Sequence, residues 1–580
     1  MDSITRRSVA NESIFLGLLA VPIGIVSAYG ALLLVLSITY IQLLFFGVGL
    51  DESAANAVKV PHWRFFLVLT IGGLGVGLIT WKLMPDGRQY GPADVIESAH
   101  MHGGRLPIRT GLASALASIL SIGCGASVGR YGPAVHLGAS LGSWLAQLLE
   151  LGRSARLALL GSGAAAAIAA SFNAPLAGVL FVGEVVLGGR ALRSFIPIIV
   201  ASVVGTSIAR FHLGEFSIFS ISDVSLKSFM EYPLFVVLGF LGGLLAVVFI
   251  RVTAWVRCWI DGFGIAVWLR PMLGGVLLGI LALGLPQVLG LGDQIIREVL
   301  ITPFPIVLLL LLIGAKLLAT AVSIGFGFSG GVFGPALFIG SMLGSMVGVS
   351  LGIFVPDATS SASIYAVAGM AAVLGTVIGA PVTTILIAFE LTGSYAITTA
   401  VMISVVSAAI AARLTFHYSY FRYQLSMRNV DLYEGREVQF LRAACVTDAI
   451  SDCYVMVGPE TSVADAELLH LNDPATDMVV VNADGRLVGT LTLFELVTAK
   501  RNGLDNSAVA EIVNKPLSLI TVDMNMYEVM LTLHNFVGAS VPVVTDLKTL
   551  RFLGVVTENV VIKAHDTALA EARFEDLGAR

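Results

Sequence analysis

Two stretches of the chain, about two hundred residues apart, carry nearly the same sequence. The run Gly125 to Gly142 is matched by Gly327 to Gly344, with Gly132-Pro133 answering Gly334-Pro335. A second matched element follows each. Gly163 through Ala174-Pro175 to Glu184 parallels Gly369 through Ala380-Pro381 to Glu390. A duplicated apolar unit broken by Gly and Pro at equivalent places constrains the fold strongly. It is how midplane ion sites are assembled from the ends of interrupted helices.

The surroundings of that unit are a membrane. The chain is 56% hydrophobic and only 13% charged, where soluble domains carry about 25% charged residues. Ile14 to Phe46, Phe65 to Leu83, Leu234 to Ile250, Met272 to Leu291, Ile306 to Ile324 and Tyr395 to Ala412 are each apolar enough to cross a hydrocarbon core. Gly138 with Gly142, and Gly340 with Gly344, are spaced for close helix approach. The first run is too long for a cleavable signal peptide and has no small-residue cleavage site at its end. Arg6 and Arg7 before it place the N-terminus in the cytoplasm, so a cell-membrane, multi-pass protein is expected. A net charge of −5 without a basic tail argues against nucleic acid as a partner. Cys124, Cys258, Cys445 and Cys453 show no metal spacing, and no metal site or catalytic residue is expected.

The composition divides the chain. Residues 1–430 read as the membrane region, with pseudo-repeats over about 60–210 and 234–416. Interruptions at Gly132-Pro133, Pro175, Gly334-Pro335 and Pro381 imply irregular backbone lining a pathway, since lipid would not tolerate it. Residues 431–580 return to soluble composition, with two copies of a small α/β unit over about 445–500 and 508–570. In the first copy Thr461 to Leu471 reads as helix, and Met478 to Val481 and Leu487 to Leu491 as a hairpin around Asp484-Gly485. In the second, Met526 to Phe536 reads as helix, with strands at Val541 to Val544 and Phe552 to Thr557. Units this small should pack copy against copy. The expected fold is thus an all-α polytopic membrane domain of two inverted repeats with broken and re-entrant helices, plus a cytoplasmic α/β tail.

The repeated Gly/Pro segment has a definite chemistry. Pro is at home in a helix's first turn, where its missing N–H would be unpaired anyway. The free amides of that turn carry about half a positive charge and bind anions readily. Two such helix starts facing each other make an anion site without a full cation, which suits the weak binding that conduction requires.

On these residues the chain resembles the CLC family of chloride channels and proton-coupled anion exchangers. The family's Gly-Arg-Glu-Gly-Pro corresponds to Gly129-Arg130-Tyr131-Gly132-Pro133, and its Gly-Gly-Ile-Phe-Ala-Pro to Gly330 through Pro335. The tail resembles the paired CBS domains that many members carry. The resemblance implies a homodimer with one pathway per subunit. It implies an anion site, chloride above all, built by Gly331, the amides of Val332 and Phe333, and a late tyrosine. That tyrosine is Tyr423, with Tyr418 and Tyr420 as alternatives. The family's first contact segment aligns with Gln89 to Ala93, which puts Tyr90 and Gly91 beside the ion. Arg130 and Gly132 fall at the pore entrance. Arg130 either attracts anions there or pairs with an acid.

Tyr131 stands where the family usually has a gating glutamate, and Val185 where exchangers carry an internal acid. A phenol of ordinary pKa about 10 stays neutral and cannot shuttle protons near neutrality. Glu184 remains as the internal acid candidate, or as a buried acid capping backbone, and Glu390 as its repeat equivalent. Passive, proton-independent anion conduction is expected, with a coupled exchanger using another acid and a non-conducting sensor as rivals. Phe333 is expected at a constriction, His136 as a satisfied packed histidine, and Lys316 as a snorkelling side chain. In the tail, Thr492, Glu495 and Thr557 partly match the positions that hold an adenine nucleotide. The loss of one ribose acid favours a structural tail over nucleotide sensing, and no other cofactor is expected.

Overall fold

The computed structural model describes residues 3–49, 60–188, 195–214, 226–355, 359–428, 430, 441, 444–452, 454–472, 478–513, 518–534 and 540–577. Cys453 and Phe536, named above, lie outside the described residues. The chain divides into two compact units, Met1–Asp431 and Leu432–Arg580.

The first unit is helical. A long helix α1 (Ser3–Phe46) leads into the first repeat: α2 (His62–Leu83), α3 (Pro92–Met101), α4 (Ile108–Gly123) and α5 (Tyr131–Leu148). It continues through α6 (Arg153–Phe172), α7 (Pro175–Phe181), a π-helical turn at Val182–Val186, and α8 (Phe195–Leu213). The second repeat runs α9 (Tyr232–Gly262), α10 (Arg270–Gly284), α11 (Asp293–Ile301), α12 (Ile306–Gly325) and α13 (Phe333–Phe354). It ends with α14 (Ala362–Ile378), α15 (Pro381–Thr392), α16 (Tyr395–Thr415) and α17 (Tyr420–Ser426). Eight of the described helices are long and apolar enough to cross a membrane, and several apolar ones are shorter. The Gly/Pro interruptions all turn out to be helix starts, at α5, α7, α13 and α15. One expected crossing differs: the run Met272 to Leu291 is helical only to Gly284, because Pro286 cannot continue the i→i−4 ladder.

A local two-fold relates the repeats, and equivalent atoms meet across it. The Ser127 amide donates to Ser323 Oγ at 3.1 Å, and the equivalent Ser329 amide donates to Ser121 Oγ at 2.8 Å. Ser118 and Ser329 share a hydroxyl contact at 2.9 Å, as Ser127 and Thr320 do at 3.3 Å. Within each repeat the same glycines bring two helices together. A Cβ at Gly142 would lie 2.0 Å from the Leu159 carbonyl oxygen, and one at Gly344 2.0 Å from that of Tyr365. Any side chain there would force α5 off α6, or α13 off α14. After α4 and α12, Gly125 and Gly327 take left-handed φ of 97° and 90°, which turns both chains back toward the centre.

The two acids in apolar sequence complete this symmetry. Glu184, on the π turn, accepts from the amides of Val382 (3.1 Å) and Thr383 (2.9 Å) and from the Thr383 hydroxyl (2.7 Å). Glu390 accepts from the equivalent amides of Leu176 (2.9 Å) and Ala177 (3.0 Å). Each repeat's carboxylate therefore caps the short helix of the other, α15 or α7. This satisfies amides that have no intrahelical acceptor and complements the helix dipole.

The second unit holds two copies of one motif. Strand β1 (Val455–Val457), α18 (Val463–Asn472), β2 (Met478–Val481), β3 (Leu487–Leu491) and α19 (Leu493–Arg501) form the first. Strand β4 (Ile520–Thr521), α20 (Met526–His534), β5 (Ser540–Val544), β6 (Phe552–Thr557) and α21 (Glu558–Leu577) form the second. In each sheet the middle strand is parallel to the first strand and antiparallel to the third. Strands β2 and β5 are buried along their whole length. One face packs on the copy's own helices, and the other joins Val479, Val481 and Leu487 to Val544 and Val555 across the pair. Copy packs against copy, as units too small to bury their own sheets require.

The capping carboxylates give a stability prediction. Glu184→Gln or Glu390→Gln exchanges charged for neutral hydrogen bonds and should each cost about 1–2 kcal/mol, read as a lowered Tm in detergent. An unchanged Tm in both variants would mean that the caps contribute nothing.

Candidate functional site

The loops before α5 and α13 meet at the centre of the membrane unit. The Gly129 amide donates to the Gly331 carbonyl, and the Gly331 amide to the Gly129 carbonyl, both at 2.7 Å. Antiparallel pairing of repeat-equivalent residues is what a two-fold axis between them produces. Only glycine fits. A Cβ at Gly129 would stand 2.8 Å from the Gly334 nitrogen, and one at Gly331 3.0 Å from the Gly132 nitrogen. Each loop's α-carbon thus rests on the first turn of the opposite helix. Gly132, expected at the pore entrance, sits in this crossing instead. The Gly331 amide, expected at the ion, is already engaged by Gly129. The first-turn amides of Phe333 and Gly334 lie at N1 and N2 of α13, where no carbonyl of their own helix can reach them.

Aromatic rings fill the space beside the crossing. Tyr131 is 1% exposed and stacks on Phe172, with centroids 4.0 Å apart and planes at 15°. Phe333 lies 6.2 Å from Tyr131, 5.7 Å from Phe181 and 6.1 Å from Phe421. All five rings are buried. Phe333 sits among these rings, between Tyr131, Phe181 and Phe421. Among the described residues the buried Tyr131 hydroxyl meets no partner in full hydrogen-bond geometry; Arg130 is its polar neighbour, its guanidinium carbon 5.3 Å from the ring centroid.

Below Phe421 a cavity of about 260 Å³ opens, lined by Val332, Gly330, Gly331, Pro92, Phe421 and Tyr420 among others. The tyrosine on this lining is Tyr420 rather than Tyr423. Tyr420, Phe421 and Gln424 of α17 line the cavity, and Tyr423 does not. Tyr423 packs instead on Phe416 and Tyr418, at 5.2 and 6.2 Å. Tyr90 does line the cavity, but its hydroxyl donates to Asp86 Oδ2 at 2.7 Å. Burial, and after it that bond, pushes its phenol up to about 12. The Gly91 amide is taken as well: it donates to Asp94 Oδ2 at 2.7 Å, capping α3. Neither Tyr90 nor Gly91 presents the free donor expected of it. Burial would raise the Asp94 carboxyl, but Arg428 (2.9 Å) and Arg88 outweigh it and hold Asp94 below the usual carboxylate range.

Other expected residues are placed as follows. Arg130 pairs with Asp293 at 3.4 Å, so the acid-pairing alternative is the one seen. Glu184 has the capping position described above. Lys316 does not snorkel: it is fully buried, and its Nζ donates to the carbonyls of Val288 (3.0 Å) and Gly290 (2.9 Å). It thereby fixes the loop that delivers Asp293. His136 is buried against Tyr90, yet neither ring nitrogen has a hydrogen-bond partner among the described residues, so it is packed but not satisfied. In the second unit, Thr492 and Glu495 satisfy each other as a capping box that starts α19, with the Thr492 amide on Glu495 Oε2 at 2.7 Å. Thr557 ends β6.

The family model described as voltage gated chloride channel matches residues 72–413, and the CBS domain model matches 446–502 and 509–566. A putative chloride channel protein ClcB-like of Ralstonia nicotianae is 31% identical over 379 residues, covering 64% of this chain and 88% of that protein. A voltage-gated ClC-type chloride channel ClcB of Salmonella typhi is 29% identical over 412 residues, covering 70% and 97%. Among solved structures, a slow cyanobacterial Cl−/H+ antiporter superposes with a TM-score of 0.63 at 23% identity, over 71% of this chain and 97% of that one. A eukaryotic CLC transporter does so with a TM-score of 0.61 at 20% identity, over 94% and 97%. At these identities the likeness is one of fold.

A buried hydroxyl without a partner carries an uncompensated desolvation cost of about 1–3 kcal/mol. Tyr131→Phe should therefore leave the Tm unchanged or raise it in halide-free detergent. A fall of several degrees would show that the hydroxyl is hydrogen-bonded in the resting protein.

Proposed function

The chain belongs to the voltage gated chloride channel family, and from that premise we propose that it conducts a small inorganic anion, chloride, passively and without proton coupling. One observation carries this reading: the plug beside the crossed helix starts is made of Tyr131, Phe172, Phe181, Phe333 and Phe421, none of them a carboxylate. A proton carrier needs a group that changes charge near neutral pH, and a phenol of ordinary pKa about 10 does not. Glu184, the internal acid candidate, spends both oxygens on Val382 and Thr383. The antiporter label of one structural neighbour belongs to that protein; a shared fold does not bring coupling with it.

In this reading Tyr131 is the gate. The anion meets the partial charges of the Val332 and Phe333 amides at the start of α13, and the aromatic rings close the path until Tyr131 swings aside. An apolar constriction of this kind blocks ions by excluding water. The N-terminus and the tail lie in the cytoplasm, from Arg6 and Arg7 ahead of the first span. The protein works as a homodimer with one pathway in each subunit. Because Thr492 and Glu495 are engaged with each other, the tail is a structural module before it is an adenine-nucleotide sensor.

Two measurements test the proposal. Proteoliposomes with anion and proton flux recorded together should pass chloride down its gradient with no linked proton movement; uphill proton transport driven by chloride would contradict it. Tyr131→Glu should add a pH dependence. An ionised carboxylate competes with the anion for the amides and a protonated one does not, so flux should rise as pH falls through about 4–5, the ordinary glutamate range. A flat profile in a well-folded Tyr131→Glu protein would remove Tyr131 from the gate.

A further inference from the structure

The charges lining the cavity do not cancel. Arg88 pairs with Asp86 and Asp94, Arg270 with Asp261, and Arg428 with Asp94 and Glu97. Arg257 lines the same cavity from the last two turns of α9, half-buried, together with Tyr420 and Val332. Among the described residues it meets no carboxylate. We propose that Arg257 captures anions in the cavity and feeds them to the first-turn amides of α13. The inference rests on the conduction reading above and names the residue that loads the path from this side.

The physical argument is one of contrast between two cations. An anion approaching Arg130 must compete with Asp293, which already sits 3.4 Å from that guanidinium. One approaching Arg257 meets no carboxylate already paired with it among the described residues. A cation in a cleft with low-dielectric walls raises the local counter-ion concentration and with it the entry rate. Because Arg257 is half exposed, its field reaches about 10 Å at 0.1 M salt and about 3 Å at 1 M. Capture is therefore strong in dilute salt and absent in concentrated salt. A merely structural arginine would not behave so.

The full chain, Arg257→Gln and Arg257→Lys are reconstituted in phosphatidylcholine liposomes, and chloride flux is measured from dilute to molar chloride. Arg257→Gln should lower flux roughly three- to tenfold in dilute chloride and not at all near 1 M, and Arg257→Lys should restore it. Should Arg257→Gln fail to fold, dilute chloride supplemented with impermeant gluconate should depress wild-type flux by a similar factor. An unaltered concentration dependence in Arg257→Gln, or wild-type flux indifferent to gluconate, would overturn the inference while leaving conduction intact. Wild-type flux no greater than that of empty liposomes would overturn the conduction reading itself, and this inference with it.

Discussion

The pairing of Gly129 with Gly331 is the constraint on which the rest of the membrane unit depends. Two backbone hydrogen bonds of 2.7 Å tie the repeats together at equivalent residues. Both α-carbons rest on the opposing helix starts, so closely that a Cβ would clash at Gly129 and crowd its neighbour at Gly331. Everything nearby inherits that two-fold: the serine bridges from Ser121 and Ser323, the glycine seams of α5 on α6 and α13 on α14, and the exchanged caps of Glu184 and Glu390. The starts of α7 and α15, costly to leave unsatisfied in lipid, are capped by the other repeat.

That arrangement also explains the electrostatics. A full cation at the crossing would hold an anion too firmly to release it, whereas helix starts offer about half a charge each. The one lysine within α12 is kept off the crossing by the carbonyls of Val288 and Gly290. From there it steadies the approach to Asp293, and Asp293 in turn holds Arg130. Full charges thus sit around the path, while dipoles and aromatic rings occupy its centre.

Much of this was legible in the sequence, for a physical reason. Repeat architecture prints itself twice, so Gly132-Pro133 and Gly334-Pro335 announced helix starts, and Glu184 with Glu390 announced a shared duty. The alternation of apolar and turn residues located the tail's hairpins, though not β1 and β4, which have only three and two residues. What stayed hidden depended on partners distant in sequence. Tyr420 rather than Tyr423 lines the cavity, a choice that two tyrosines three residues apart on one short helix do not announce by spacing. The engagement of Gly91 by Asp94, the loss of the Gly331 amide to Gly129, and the burial of Lys316 needed the fold, since nothing local distinguishes a free amide from a bonded one. Arg257 gave no signal at all. It is one basic residue near a helix end until the pairing of its neighbours leaves it without a carboxylate among the described residues.

The central claim is that an anion is held by the amide dipoles where the two repeats cross, and halide position tests it most directly. Anomalous scattering from crystals soaked in bromide should place a peak within hydrogen-bonding reach of the amide nitrogens of Val332 and Phe333, on the Tyr420 side. Peaks confined to surface arginines, with none between the starts of α5 and α13, would contradict the account.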